Sequence, residues 1–185
     1  SEFKKDYRKI NSSLLWIGYY QGKLLKFQEA ENLLKKALKI AEKYLANKDI
    51  AITKYNQAAL FEEQFLAKEA LVKYLESLQI YEKEFGKGTP ETAEVLFDIG
   101  RIYSDLGLLN KSEDYILRAI SIEKDYRFLD VLSQIYFTKQ LFKKSLEIAE
   151  EALTLRKKVL VKNDIYLTSS LSTIAIANHL IGGDT

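Results

Sequence analysis

An all-α solenoid of antiparallel helix hairpins is the fold class this sequence predicts, and three observations carry the prediction. Good helix formers (Leu, Lys, Glu, Ala) run for long distances, with one proline in the chain. Alternating strand-type patterns are absent. Small residues also return at fixed spacing: Gly18, Ala30, Ala37; Ala58, Ala70, Ser77; Gly100, Ser112, Ala119; and Ser133, Ser145, Ala152. Each triplet steps twelve and then seven residues. Two helices that cross closely need small side chains at the crossing, so the beat predicts four hairpins.

Residues 86–124 show the unit most clearly. Gly86-Lys87-Gly88 forms a turn, Thr89 is placed to cap a helix, and Pro90 sits at the first helical position, where its missing N–H would have had no partner. The first helix presents Leu96, Ile99, Tyr103 and Leu106 on one face. Gly107 breaks it, and a second helix turns Tyr115, Ile116, Ala119 and Ile120 inward.

Larger residues keep step along the chain. Phe27, Ala67, Leu109 and Phe142 stand three before each middle small residue, at the entry to the second helix. Leu34, Tyr74, Ile116 and Ala149 stand four after it. Phe61, Tyr103 and Tyr136 stand three after the first small residue, where the first hairpin has Gln21. The middle positions are 40, 42 and 33 residues apart. The predicted boundaries are a lead-in over 1–10, with 1–3 expected to be a vector-derived scar, and one array over 11–185. Its hairpins span about 11–50, 51–92, 93–125 and 126–167, followed by a lone first helix at 168–183 marked by Leu171, Ile174, Ala175 and Gly182. That makes about nine helices. With no methionine and an array ending mid-repeat, the chain is expected to be a piece of a longer protein.

Composition excludes several function classes. Basic and acidic residues nearly balance, 28 against 26, and are interspersed, so a dedicated nucleic-acid surface is not expected. No cysteine means no disulfide, thiol nucleophile or thiolate metal site, and the one histidine, His179, cannot build a multi-histidine centre. No apolar run approaches the ~20 residues of a membrane span and no signal peptide is visible, so a cytoplasmic protein is the default. Glu62-Glu63 reads as solvated helix surface, since no acid–base partner stands beside it. The positive charge of Arg156-Lys157-Lys158 suits the end of a helix. Neither catalytic residues nor a cofactor or metal are predicted.

The small-residue spacing resembles the tetratricopeptide repeat family, whose units ask for small residues at the eighth, twentieth and twenty-seventh positions and a tyrosine or similar at the eleventh. Gly100, Ser112, Ala119 and Tyr103 match most clearly, with Gly107 and Leu109 completing the turn. The longer spacing and the turn at 86–93 are similar to the kinesin-light-chain-type subclass, which usually has His-Pro where this chain has Thr89-Pro90. The turns at 47–50 and 163–166 lack the proline.

The resemblance implies a right-handed superhelix whose concave face is lined by the first helix of each hairpin. Mapped onto this chain, that face holds Leu15, Trp16 and Tyr19; Tyr55, Asn56 and Ala59; Phe97, Asp98, Arg101 and Asp105; Asp130, Val131, Gln134 and Phe137; and then Ser172, Thr173 and Ile176. Exposed aromatics would supply contact area, Asn56 and Gln134 would bond peptide backbone, and Asp98, Asp105 and Asp130 would favour a basic ligand. Trp16 and Phe97 either line the groove or pack between neighbouring first helices. The lysine–asparagine clamp of chaperone-binding repeats is missing, with Leu15 and Tyr19, then Tyr55 and Ala59, at its positions. The expected role is a non-enzymatic interaction or scaffold module holding a partner's peptide. The alternatives are a regulatory or sensor domain acting in cis and a homodimer through the unpaired last helix, whose stripe Leu171, Ile174, Ala175 wants a cover.

Overall fold

The structure, a computed structural model, describes residues 2–159, 174–176 and 178–180. Eight helices follow one another: α1 (Glu2–Lys23), α2 (Phe27–Tyr44), α3 (Asn47–Glu63), α4 (Ala67–Phe85), α5 (Pro90–Asp105), α6 (Leu109–Ile122), α7 (Tyr126–Thr138) and α8 (Phe142–Val159). Residues 174–176 and 178–180 are also helical, and there is no strand among the described residues. The chain forms two compact units, Ser1–Val95 and Leu96–Thr185. In the first, α1 pairs with α2, α3 pairs with α4, and α3 also packs on α1 and α2. In the second, α7 pairs with α8 and packs on α6.

All twelve small residues of the repeating pattern are buried. The helices close over them by size. A Cβ on Gly100 would stand 2.6 Å from Cδ1 of Ile116, and one on Gly18 would stand 3.1 Å from Cδ2 of Leu34. By register, the matching pairs elsewhere are Ala58 with Tyr74 and Ser133 with Ala149. Where the small residue is serine, its hydroxyl finds a backbone carbonyl, as a buried hydroxyl must. Ser112 donates to Gly100 O (2.7 Å), and Ser133 and Ser145 each donate to the other's carbonyl (2.9 Å). At the other end of the crossing, Asn11 donates to Ala37 O in the first hairpin (2.8 Å). In the second hairpin the direction reverses, with Ser77 donating to Ala51 O (2.8 Å).

The turns inside the hairpins share one backbone signature. Leu25, Phe65, Gly107 and Gln140 all have positive φ, at 60°, 60°, 72° and 61°. The next residue's N–H reaches back five positions, from Lys26 to Gln21, Leu66 to Phe61, Leu108 to Tyr103 and Leu141 to Tyr136, at 2.8–2.9 Å. This helix-ending motif favours an apolar contact between those two residues, which explains the aromatic found there in the last three hairpins. The first hairpin departs at both positions together, with Gln21 and Lys26.

Helix starts differ. Thr89 Oγ1 accepts from Thr92 N–H (3.2 Å), so α5 is capped as its sequence predicts, with Pro90 first. Asp125 caps α7, accepting from Arg127 N–H at 2.7 Å. By contrast, Lys26, Leu66 and Leu108, the N-cap residues of α2, α4 and α6, give no side-chain cap.

The structure moves several expected features. Residues 2–10, expected as a lead-in, are the first turns of α1. Residues 47–50, expected as a turn, open α3, and Asp49 closes the first turn by accepting from Ala46 N–H (3.3 Å). Leu106, expected on the inner face, is exposed because it lies past the end of α5, where the chain is already turning.

Candidate peptide-binding cleft

Within the first compact unit, α1 and α3 run side by side. Arg8 reaches Asp49 at their N-terminal ends (3.3 Å), and Lys23 reaches Glu63 at their C-terminal ends (2.5 Å). Between these pairs lies a cleft of about 710 Å³ walled by Leu15, Trp16 and Tyr19 from α1 and by Tyr55, Asn56 and Ala59 from α3. These are the six residues that the sequence places on the inner face of the first two hairpins. Ser12, Tyr20 and Ile52 also line it. Sequence mapping missed these three because it counted a narrower stripe than the one α1 and α3 present.

The six play different parts. Leu15 is buried and belongs to the core with Ala30, Leu34, Ala37 and Leu60. Trp16 is 63% exposed, the chain's lone tryptophan, so it is not consumed by packing between helices. It stacks on Tyr20 (6.1 Å between centroids, 25°) and meets Tyr19 edge-on (6.3 Å), so the rings brace one another while keeping open faces. Tyr55 is half-buried against Tyr74 (5.2 Å). Asn56 donates its amide to Ile52 O (2.8 Å), which fixes the side chain in the wall.

Charge is kept to the ends of the cleft. The Glu63 carboxylate holds the Lys23 ammonium above its ordinary pKa, and that ammonium also lies over the Tyr19 ring at 5.5 Å. Glu62, read from sequence as solvated, accepts from Tyr74 Oη (2.5 Å), so both glutamates tie α3 to its neighbours.

The second compact unit treats its mapped residues otherwise. Phe97 is buried against Phe128, 4.8 Å between centroids, so it packs rather than lines a surface. Asp98 is buried and pairs with Arg101 (3.2 Å), whose guanidinium lies over the Phe97 ring at 5.7 Å. Asp130 pairs with the buried Arg156, which also lies over Tyr126. Two of the three aspartates expected to attract a basic ligand are therefore engaged by arginines of the chain itself. For Asp98 the sequence shows Arg101 one helical turn away, a spacing the mapping left out, whereas Arg156 stands 26 residues from Asp130 on another helix. Asp105 and Gln134 are exposed, and Val131 and Phe137 are half-buried. Ile174 is half-buried, Ala175, Ile176 and His179 are exposed, and Leu171, Ser172, Thr173 and Gly182 lie outside the described residues.

Among the described residues, no group of His, Asp and Glu is arranged to hold a metal ion, and no helix is long and apolar enough to cross a membrane. Models of the tetratricopeptide repeat match residues 49–125 and 128–166. No curated protein matches the sequence. Among solved structures, the chain is similar to BtubC (BKLC) from P. vanneervenii, with a TM-score of 0.83 and 16% identity over 97% of this chain and 80% of that one. It is also similar to a putative kinesin light chain with nearly identical TPR-like repeats from Podosopora anserina (TM-score 0.76, 16% identity, 93% and 87% covered). A third is a signal-transduction ATPase with numerous domains and a tetratricopeptide repeat sensor from Pyrococcus horikoshii (TM-score 0.79, 22% identity, 90% and 26% covered). The buried small-residue beat, the shared hairpin fold and the two family matches agree: the chain belongs to the tetratricopeptide repeat family.

Proposed function

We propose that this chain is a non-enzymatic protein-interaction module that holds a peptide segment of a partner in the cleft between α1 and α3. Repeats of this family serve as protein–protein interaction scaffolds. The observation that carries the reading is the exposed Trp16 in a cleft of about 710 Å³ whose walls are aromatic and uncharged. Rigid aromatic rings give large contact area at small entropic cost, and Asn56 brings an amide to a wall that a peptide backbone would face.

The test uses peptides selected from a random displayed library on the intact chain. Selected peptides should shift Trp16 emission to the blue and bind Tyr55→Ala at least tenfold more weakly, with Lys157→Ala, on the exposed face of α8, as the unaffected control. Peptides that bind Tyr55→Ala and Trp16→Ala as tightly as the parent would overturn the assignment.

Likeness to the Pyrococcus sensor protein favours a second reading, in which the cleft holds a segment of the same polypeptide. In that case Trp16 would be shielded from a soluble quencher in a longer reading frame without any added peptide.

A further inference from the structure

A second cavity opens on the same compact unit, away from the aromatic cleft. It holds about 290 Å³ between α2, α3 and α4, near the lower end of the ~300–1,000 Å³ typical of small-ligand sites. Leu34, Leu38, Leu60 and Phe61 make it apolar, while Glu31, Lys35, Gln57 and Lys73 make it polar.

Gln57 and Lys73 break the repeat. Gln57 immediately precedes the first small residue of its hairpin, where the other hairpins have Ile17, Ile99 and Leu132. Lys73 stands three after the middle small residue, where the others have Leu33, Tyr115 and Ile148. Each position is apolar three times out of four, and both exceptions fall in one hairpin and line one cavity. The Gln57 amide oxygen is buried and accepts no hydrogen bond among the described residues. Burying an amide oxygen without a partner costs stability, so folding alone does not favour glutamine here. Of the charged residues that line the cavity, two are lysines, Lys35 and Lys73, and one is a carboxylate, Glu31. Lys35 pairs with Glu31 (2.7 Å), and Lys73 shares Glu76 with Lys54 (3.0 and 2.6 Å).

We propose that this cavity binds a small amphipathic carboxylate that also carries an N–H or O–H donor. Its apolar body lies against Leu34, Leu38, Leu60 and Phe61. Its carboxylate meets the Lys35 and Lys73 ammoniums, and its donor bonds the Gln57 oxygen once that side chain turns toward the cavity it lines, since the oxygen is closed off where it now stands. The site is independent of the peptide cleft, so either assignment can fail alone.

N-acetyl-leucine is the probe, titrated into the intact chain by two-dimensional NMR. Saturable shifts are expected at Leu38, Gln57, Phe61 and Lys73 with Trp16 unmoved. N-acetyl-leucine amide, which lacks the carboxylate, and acetate, which lacks the apolar body, should each bind at least tenfold more weakly. Gln57→Leu, which restores the apolar residue of the other hairpins, should melt higher than the parent and lose at least tenfold in affinity. Lys73→Leu, which restores the apolar residue at the other exceptional position, should lose a similar factor while staying folded. No saturable shift at these residues, shifts confined to the Trp16 cleft, or equal binding by the parent and Gln57→Leu would overturn the proposal.

Discussion

At the scale of single residues, the left-handed turn position separates backbone need from side-chain choice. Gly107 meets that need without cost, whereas Leu25, Phe65 and Gln140 meet it with a side chain. A non-glycine residue there costs about 1–2 kcal/mol, and glycine gives back roughly 0.5–1 kcal/mol through greater freedom of the unfolded chain. Phe65 is 95% exposed and loses nothing in packing when removed, so Phe65→Gly should raise stability by about 0.5–1 kcal/mol. Thermal melting followed by far-UV circular dichroism checks this, and a lowered melting point would mean the phenyl ring has a contact that exposure does not reveal. The crossing residues make the opposite prediction. Gly100→Ser drives a side chain into Ile116 and should destabilise by about 1–3 kcal/mol. Ile116→Ala alone should cost about 2–5 kcal/mol through the cavity it leaves. Together they reproduce the Ser133–Ala149 pair of the fourth hairpin, so the double variant should be at least ~1 kcal/mol less destabilised than the sum. Strict additivity in denaturant titrations would show that the two positions do not share space.

Tyr81 shows how whole elements are held together. It lies on α4, buried, with the carboxylates of Asp49 on α3 and Glu91 in the first turn of α5 near enough to act on it. Burial first, and then those two negative charges, push its phenol up to about 12. In the unfolded chain the phenol ionises near ~10, so the unfolded state sheds its proton first as pH rises. The neutral form's contribution is therefore whole below about pH 10 and fades toward pH 12, by roughly 3 kcal/mol at most. Tyr81→Phe should leave stability near neutrality almost unchanged and flatten its decline over that alkaline range. Parallel alkaline unfolding curves for parent and variant would assign the decline to other groups. The same association is tied at the surface by Lys48, which pairs with Glu91 (2.7 Å) and keeps that carboxyl below its usual pKa.

At the scale of the whole molecule, what the sequence makes legible is the part that repeats. The small residues at crossings are dictated by backbone approach, a requirement that every hairpin shares, so alignment of the chain with itself exposes them. The six cleft residues of the first two hairpins follow from the same register. Non-repeating features are less legible. Phe97 and Asp98 occupy the register of groove residues, yet Phe128 and Arg101 claim them; Arg101 stands one helical turn from Asp98, whereas no periodicity announces Phe128 on another helix. The glutamates at 62 and 63 look solvated on a helix drawn alone, and only the neighbouring helices reveal Tyr74 and Lys23 as their partners. The left-handed turn position hid behind Leu25, Phe65 and Gln140, because one glycine in four does not make a pattern.

The matching of bulk at each helix crossing bears on how a chain of look-alike hairpins reaches one arrangement. Glycine faces isoleucine in one crossing and leucine in another, and by register serine faces alanine in a third. A helix exchanged between a glycine crossing and the serine one would either collide or leave a hole. That difference in bulk guards folding against shuffling between those hairpins and against exchange of their helices between crowded copies.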